Sequence, residues 1–194
     1  MKLEIAKMGR MAQTGSSLLR LIQNDHTPIL DLLIRESVQN SIDASKEDSK
    51  WVGYDISTKE FVKSKATSHF EGISEKLNAK FANERQKSIV IRDYNTTGLT
   101  GPIHQEYVKE NDFGNLLKLI YEISKPQEKI GAGGSWGLGK TIYFRVGIGL
   151  VVYYSRIKKD DGTYASRLAA CLVEDETRED RLLPEEGNLR RGIA

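Results

Sequence analysis

The clearest periodic pattern in the chain runs from Leu32 to Ala44, LLIRESVQNSIDA. Ile34, Val38 and Ile42 recur every four residues, and Glu36, Asn40 and Asp43 form a polar stripe on roughly the opposite side, as in an amphipathic helix. Thr27 as N-cap and Pro28 at the first helical position predict a start there, so the helix is expected over about 28–46. WVGYDIS (51–57) and SIVIRDY (88–94) read as strands, the second short and buried, and 70–83 reads as helical within an otherwise polar stretch. A further helical pattern, FGNLLKLIYEIS, falls within 102–130. GLVVYYSRIK (149–158) and TYASRLAACLV (163–173) are two strands joined by Lys159-Asp160-Asp161-Gly162, a hairpin signal. Leu18, Leu19, Leu21 and Ile22 make residues 1–27 a helix or an arm that packs on another subunit; 176–194 is a charged loop or mobile tail, expected to lead into a longer protein.

Composition narrows the class. A chain of 194 residues supports one well-buried core, and a net charge of +2 gives no global argument for nucleic acid or an anionic surface, so nucleic acid enters only indirectly. Cys171 is the single cysteine, which excludes an internal disulfide and a cysteine-based zinc cluster, and three scattered histidines argue against a histidine metal site. The charged start MKLEIAKMGR lacks the apolar run of a signal peptide, and no window reaches membrane-span length, so a cytoplasmic protein without membrane association is expected.

Two further stretches carry chemistry. Asp93 ends an apolar strand and is followed by Asn95-Thr96-Thr97-Gly98-Leu99-Thr100-Gly101, a turn in which Asn and Gly tolerate positive φ. This can place one acceptor at the floor of a pocket, or simply start a turn. GAGGSWGLGKTIYF (131–144) has five glycines in its first nine residues, which let the backbone approach a ligand and turn N–H groups inward, before a helix expected at about Lys140. Gly134 to Thr141 satisfies the P-loop pattern G-x-x-x-x-G-K-[ST], with Lys140 on the terminal phosphate, Thr141 on magnesium and Ala169–Asp175 as the apolar strand ending in acid. Against it, Ser124 to Ile130, with Pro126, cannot be the buried strand that must precede a P-loop.

Taken together, Glu36-x-x-x-Asn40-x-x-Asp43-Ala44, Asp93 with its glycine-containing turn, and Gly133-Gly134-Ser-Trp-Gly137-Leu-Gly139-Lys140 resemble, in order and spacing, the N box and two glycine boxes of the GHKL ATPases. That superfamily includes DNA gyrase, the ninety-kilodalton heat-shock chaperone, histidine kinases and MutL. The resemblance covers about 28–175 and implies an α/β fold, a two-layer sandwich of a mixed β-sheet with helices on one face (the Bergerat fold), with ATP held between the layers and a lid at about 99–132. It implies that Asn40 coordinates Mg2+, that Asp93 accepts from the adenine amine, and that Gly134, Gly137 and Gly139 present backbone to the phosphates with Lys140 as a phosphate contact. Gly98, Gly133, Ser135, Trp136, Leu138 and Thr141 belong to the same nucleotide-binding set, and Asp43 supports it by hydrogen bonding. Glu36 stands where hydrolysing members carry the general base that activates water, which favours ATP hydrolysis over phosphotransfer.

The first glycine box departs from Asp-x-Gly-x-Gly: Asn95 replaces the first glycine and one extra residue precedes Gly98. Gly162-Thr163, the nearest match to a later Gly-Thr, sits in the expected hairpin turn. The resemblance further implies an ATP-dependent homodimer, with 1–27 as a candidate exchange arm, and additional domains or partner proteins. A P-loop NTPase and a non-hydrolysing ATP-sensing scaffold stand as the alternatives.

Overall fold

The computed structural model describes residues 4–6, 19, 27–110, 112–121, 139–159, 161–175, 177–183 and 189–193. It is a mixed α/β arrangement. The strands are β1 (Glu4–Ala6), β2 (Gly53–Val62), β3 (Arg85–Tyr94), β4 (Leu150–Lys158), β5 (Tyr164–Val173) and β6 (Leu189–Ile193). The helices are α1 (Ile29–Asp43), α2 (Lys63–Thr67), α3 (Ser74–Ala79), α4 (Gly114–Tyr121) and the single turn α5 (Ile142–Arg145), which continues a 3-10 turn over Gly139–Thr141. None of the described helices is long and apolar enough to cross a membrane.

The strands form two sheets: one of four strands in the order β1-β6-β5-β4, and a ribbon of β2 and β3. Every strand pairing among the described residues is antiparallel, in place of the single mixed sheet that the resemblance implies. The β4–β5 hairpin forms as expected: Lys158 pairs with Tyr164, and Gly162 takes φ 82° in the turn. Leu189–Ile193, expected in a charged tail, is instead a strand between β5 and β1. Its Leu-Arg-Arg-Gly-Ile sequence lacks strand periodicity, and two neighbouring backbones supply the ladder. Such pairing is invisible in local sequence.

The core lies on β5 and the helices over it. Leu116 and Ile120 of α4 pack with Phe144, Ala169, Cys171 and Val173, and a second cluster joins Phe70, Ile73 and Leu77 to Ala170, Leu172, Leu182 and Leu183. Residues on both faces of the end of β5 are thus covered, which explains its unbroken apolar run. Burying each Leu or Ile here contributes about 1.5–3 kcal/mol. The segment expected as a lid therefore contributes core: Leu116, Leu117 and Ile120 of α4 are fully buried.

Two expectations about single elements change. Helix α1 begins at Ile29 with Pro28 in the cap position, one residue later than the Thr27 cap implies, and the Leu32 N–H donates to the Pro28 carbonyl at 3.1 Å. Its buried face is Leu32, Leu33, Ser37 and Ser41, whereas Ile34 and Ile42 of the apolar stripe are 45% and 53% exposed. The small serines allow close packing because their hydroxyls are already satisfied, Ser37 Oγ by the Leu33 carbonyl (2.6 Å) and Ser41 Oγ by the Ser37 carbonyl (2.9 Å). Strand β3, expected to be buried, alternates instead between exposed and half-buried residues, because α1 covers only the Tyr54–Ile91 end of the ribbon. In the polar stretch, the helix expected at 70–83 is represented by α3 alone, with α2 preceding it.

Candidate functional site

The three chemistry-bearing stretches meet on one small apolar cluster. Leu32 and Leu33 from α1 pack with Ile142 of α5, and Ile91 of β3, Tyr143 and Val146 pack against them. Leu33 and Ile142 are among the most deeply buried side chains. Each stretch carries a candidate site residue close to its packed one: Glu36 is one turn beyond Leu32, Asp93 two residues beyond Ile91, and Gly139 three residues before Ile142. Packing of the apolar residues thereby gathers the polar ones.

Glu36 lies against the backbone at the last glycine of the glycine-rich stretch. A Cβ added at Gly139 would sit 2.2 Å from Glu36 Oε2 and 3.2 Å from its carboxyl carbon, so this close approach requires glycine. The other oxygen, Oε1, accepts from Arg35 Nε and Nη2 at 3.2 and 2.9 Å. One turn along α1, Asn40 Nδ2 donates to Tyr143 Oη at 3.1 Å. Burial pushes the Tyr143 phenol up to about 12 against the opposing hydrogen bond from Asn40, with Tyr54 and the Asp93 and Glu36 charges adding to the rise. The phenol is therefore neutral across the working pH range. Asp43 is exposed and accepts from Gln39 Nε2 at 2.8 Å.

Asp93 pairs across the ribbon with Tyr54, and Tyr54 Oη shares a 2.7 Å hydrogen bond with Ser37 Oγ on α1. Asp93 is exposed, and its Oδ1 accepts from Thr96 Oγ1 at 2.7 Å. The turn that follows is held from three sides. Asn95, at φ 65°, donates through Nδ2 to the Trp51 carbonyl and to Ser49 Oγ. The Thr97 N–H donates to the Ala44 carbonyl at the end of α1 (2.8 Å). The Leu99 N–H donates to Ser155 Oγ on β4 (3.0 Å), and Arg167 Nη1 on β5 donates to the Leu99 carbonyl (2.8 Å). Gly98, at φ 69°, sits where a Cβ would come 2.6 Å from Ser155 Oγ, so its glycine serves the docking of this turn on the four-stranded sheet.

Gly139 and Thr141 are in the 3-10 turn, with Thr141 buried, and Lys140 lies between them. Gly133, Gly134, Ser135, Trp136, Gly137 and Leu138 lie outside the described residues. Sequence reasoning missed Arg35, Tyr54, Tyr143, Ser155 and Arg167. Only Tyr143 carried a signal, by its place four residues after the last glycine of the motif.

No group of three or more His, Cys, Asp and Glu residues among the described ones could hold a metal ion by itself. No family model matches the chain, and no curated protein or solved structure does.

Proposed function

We propose that this chain is a Mg2+-dependent ATP-binding and ATP-hydrolysing domain of the GHKL kind, built on a Bergerat-type sandwich, whose nucleotide state gates closure or dimerisation of a larger machine. The observation that carries this reading is the convergence of Leu32–Leu33, Ile91 and Ile142 in one cluster, beside which the Glu36 carboxylate lies against Gly139 and Asn40 bonds to Tyr143.

The residues present suit the group. Magnesium in nucleotide sites is usually held by one or two protein oxygens together with phosphates and water, so a three-carboxylate cage is not needed. Asn40 offers an amide oxygen, since its nitrogen is engaged by Tyr143. Asp93 has one oxygen held by Thr96, leaving the second for an adenine amine. When bound, the metal would neutralise charge developing on the phosphates. Glu36, oriented by Arg35 through Oε1, has Oε2 to orient and deprotonate a water beside the Gly139 backbone. The P-loop alternative is less well supported: Ala169–Val173, its candidate metal strand, is antiparallel to both neighbours, unlike the parallel strands of that architecture.

Calorimetric titration of ATP with magnesium, on wild type, Asp93→Asn and Glu36→Ala, tests the reading. Asp93→Asn is expected to abolish binding, and Glu36→Ala to bind ATP but release no phosphate. Wild-type binding of Asp93→Asn would overturn it in favour of a site centred on Lys140 and Thr141. Tight ATP binding by wild type with no phosphate release above Glu36→Ala would make the domain a nucleotide sensor.

A further inference from the structure

The Asn40–Tyr143 pair has a consequence beyond holding α1 against α5. A carboxamide has two chemically opposite ends: its oxygen can ligate a cation, and its NH2 group cannot. Asn40 Nδ2 donates to Tyr143 Oη at 3.1 Å, and Oδ1 has no hydrogen-bond partner among the described residues. In this arrangement the nitrogen faces the phenol and the oxygen is left over. The phenol is itself well placed to do this. Tyr143 follows the fully buried Ile142, is half-buried and packs against the Leu32–Leu33–Ile142 cluster, which holds the ring and its hydroxyl in place.

We propose that Tyr143 is a positioning residue that fixes the Asn40 side-chain amide so that its oxygen is presented to the magnesium of bound ATP. This rests on the ATP-and-magnesium reading above. Partners that orient a metal ligand typically matter by about 10–100-fold in metal affinity when removed.

The test is ATP binding, measured by calorimetry in excess chelator and across a magnesium titration, for wild type, Tyr143→Phe, Asn40→Asp and the double variant. Phenylalanine keeps the packed ring and removes only the hydroxyl. The expected result is that Tyr143→Phe binds ATP in chelator within about twofold of wild type, while the apparent magnesium affinity falls roughly tenfold or more. In the Asn40→Asp background, where either carboxylate oxygen can face the metal, adding Tyr143→Phe is expected to change nothing further. A Tyr143→Phe variant with unchanged magnesium dependence, or with equal loss in chelator and in magnesium, would overturn the proposal and leave the ATP reading standing. Absence of ATP binding by wild type in both conditions would overturn the ATP reading and the proposal with it.

Discussion

The two sheets of this molecule divide its work. In the four-stranded sheet, β5 ends in Ala169 to Val173, five successive buried residues covered by α4 and by the Phe70–Leu77 segment. The β2–β3 ribbon leaves Ile56, Phe61, Ile89 and Tyr94 exposed and is anchored to α1 mainly at Tyr54 and Ile91. Yet the ribbon carries Asp93, and the turn after it is fixed by Ser155 and Arg167 of the larger sheet. Apolar burial scales stability, so the larger sheet carries most of it, and the ribbon with α1 is free to present polar groups.

Breaking that division most severely is Leu172→Ala. It removes a buried side chain from the second core cluster and is expected to cost about 2–5 kcal/mol, read as a lowered denaturation midpoint with little change in its slope.

Next in size is a pH effect at the helix–ribbon junction. Tyr143 has a folded-state value raised from 10.0 to about 12, so the unfolded chain loses this proton first as pH rises. The contribution is fully present below pH 10 and is lost between pH 10 and about 12, amounting to about 2–3 kcal/mol. Buried Tyr153 also has a raised value, so the check is a difference. Across that window, wild type should lose more stability than Tyr143→Phe by this amount.

Gly139→Ala should separate chemistry from stability. The new Cβ meets the far end of the Glu36 side chain, so stability should change by less than about 1 kcal/mol, while on the ATP-hydrolysing function proposed above phosphate release should fall roughly tenfold as the carboxylate is displaced. The smallest effect is expected on the exposed side of the ribbon. Ile89→Ala, at a residue that is 42% exposed, should alter stability by only about 0.5 kcal/mol in chemical denaturation.

How much of this was legible in the chain differs by element. The β4–β5 hairpin followed from two β-rich runs joined through Gly162, and Asn95 and Gly98 do adopt positive φ in the turn after Asp93. The orientation of α1 was misjudged because hydrophobicity alone placed Ile34, Val38 and Ile42 on the packed side. Ser37 and Ser41 are polar in a list of residue types, but once their hydroxyls bond to the preceding turn they present small, satisfied surfaces that pack closely. Strand β6 escaped notice because its order comes from its neighbours β1 and β5.

What the sequence by itself determined is local. The helical spacing of Glu36 and Asn40 sets them on one stripe, glycine at 139 permits close approach, and the residues after Asp93 must turn. Only the tertiary structure decided that the Glu36 carboxylate abuts Gly139 and that Asn40 meets Tyr143, 103 residues away in sequence. Local backbone preferences act over a few residues. A contact of that separation is fixed by where Ile142, Leu33 and Ile91 bury their side chains together, and that is a property of the packed chain.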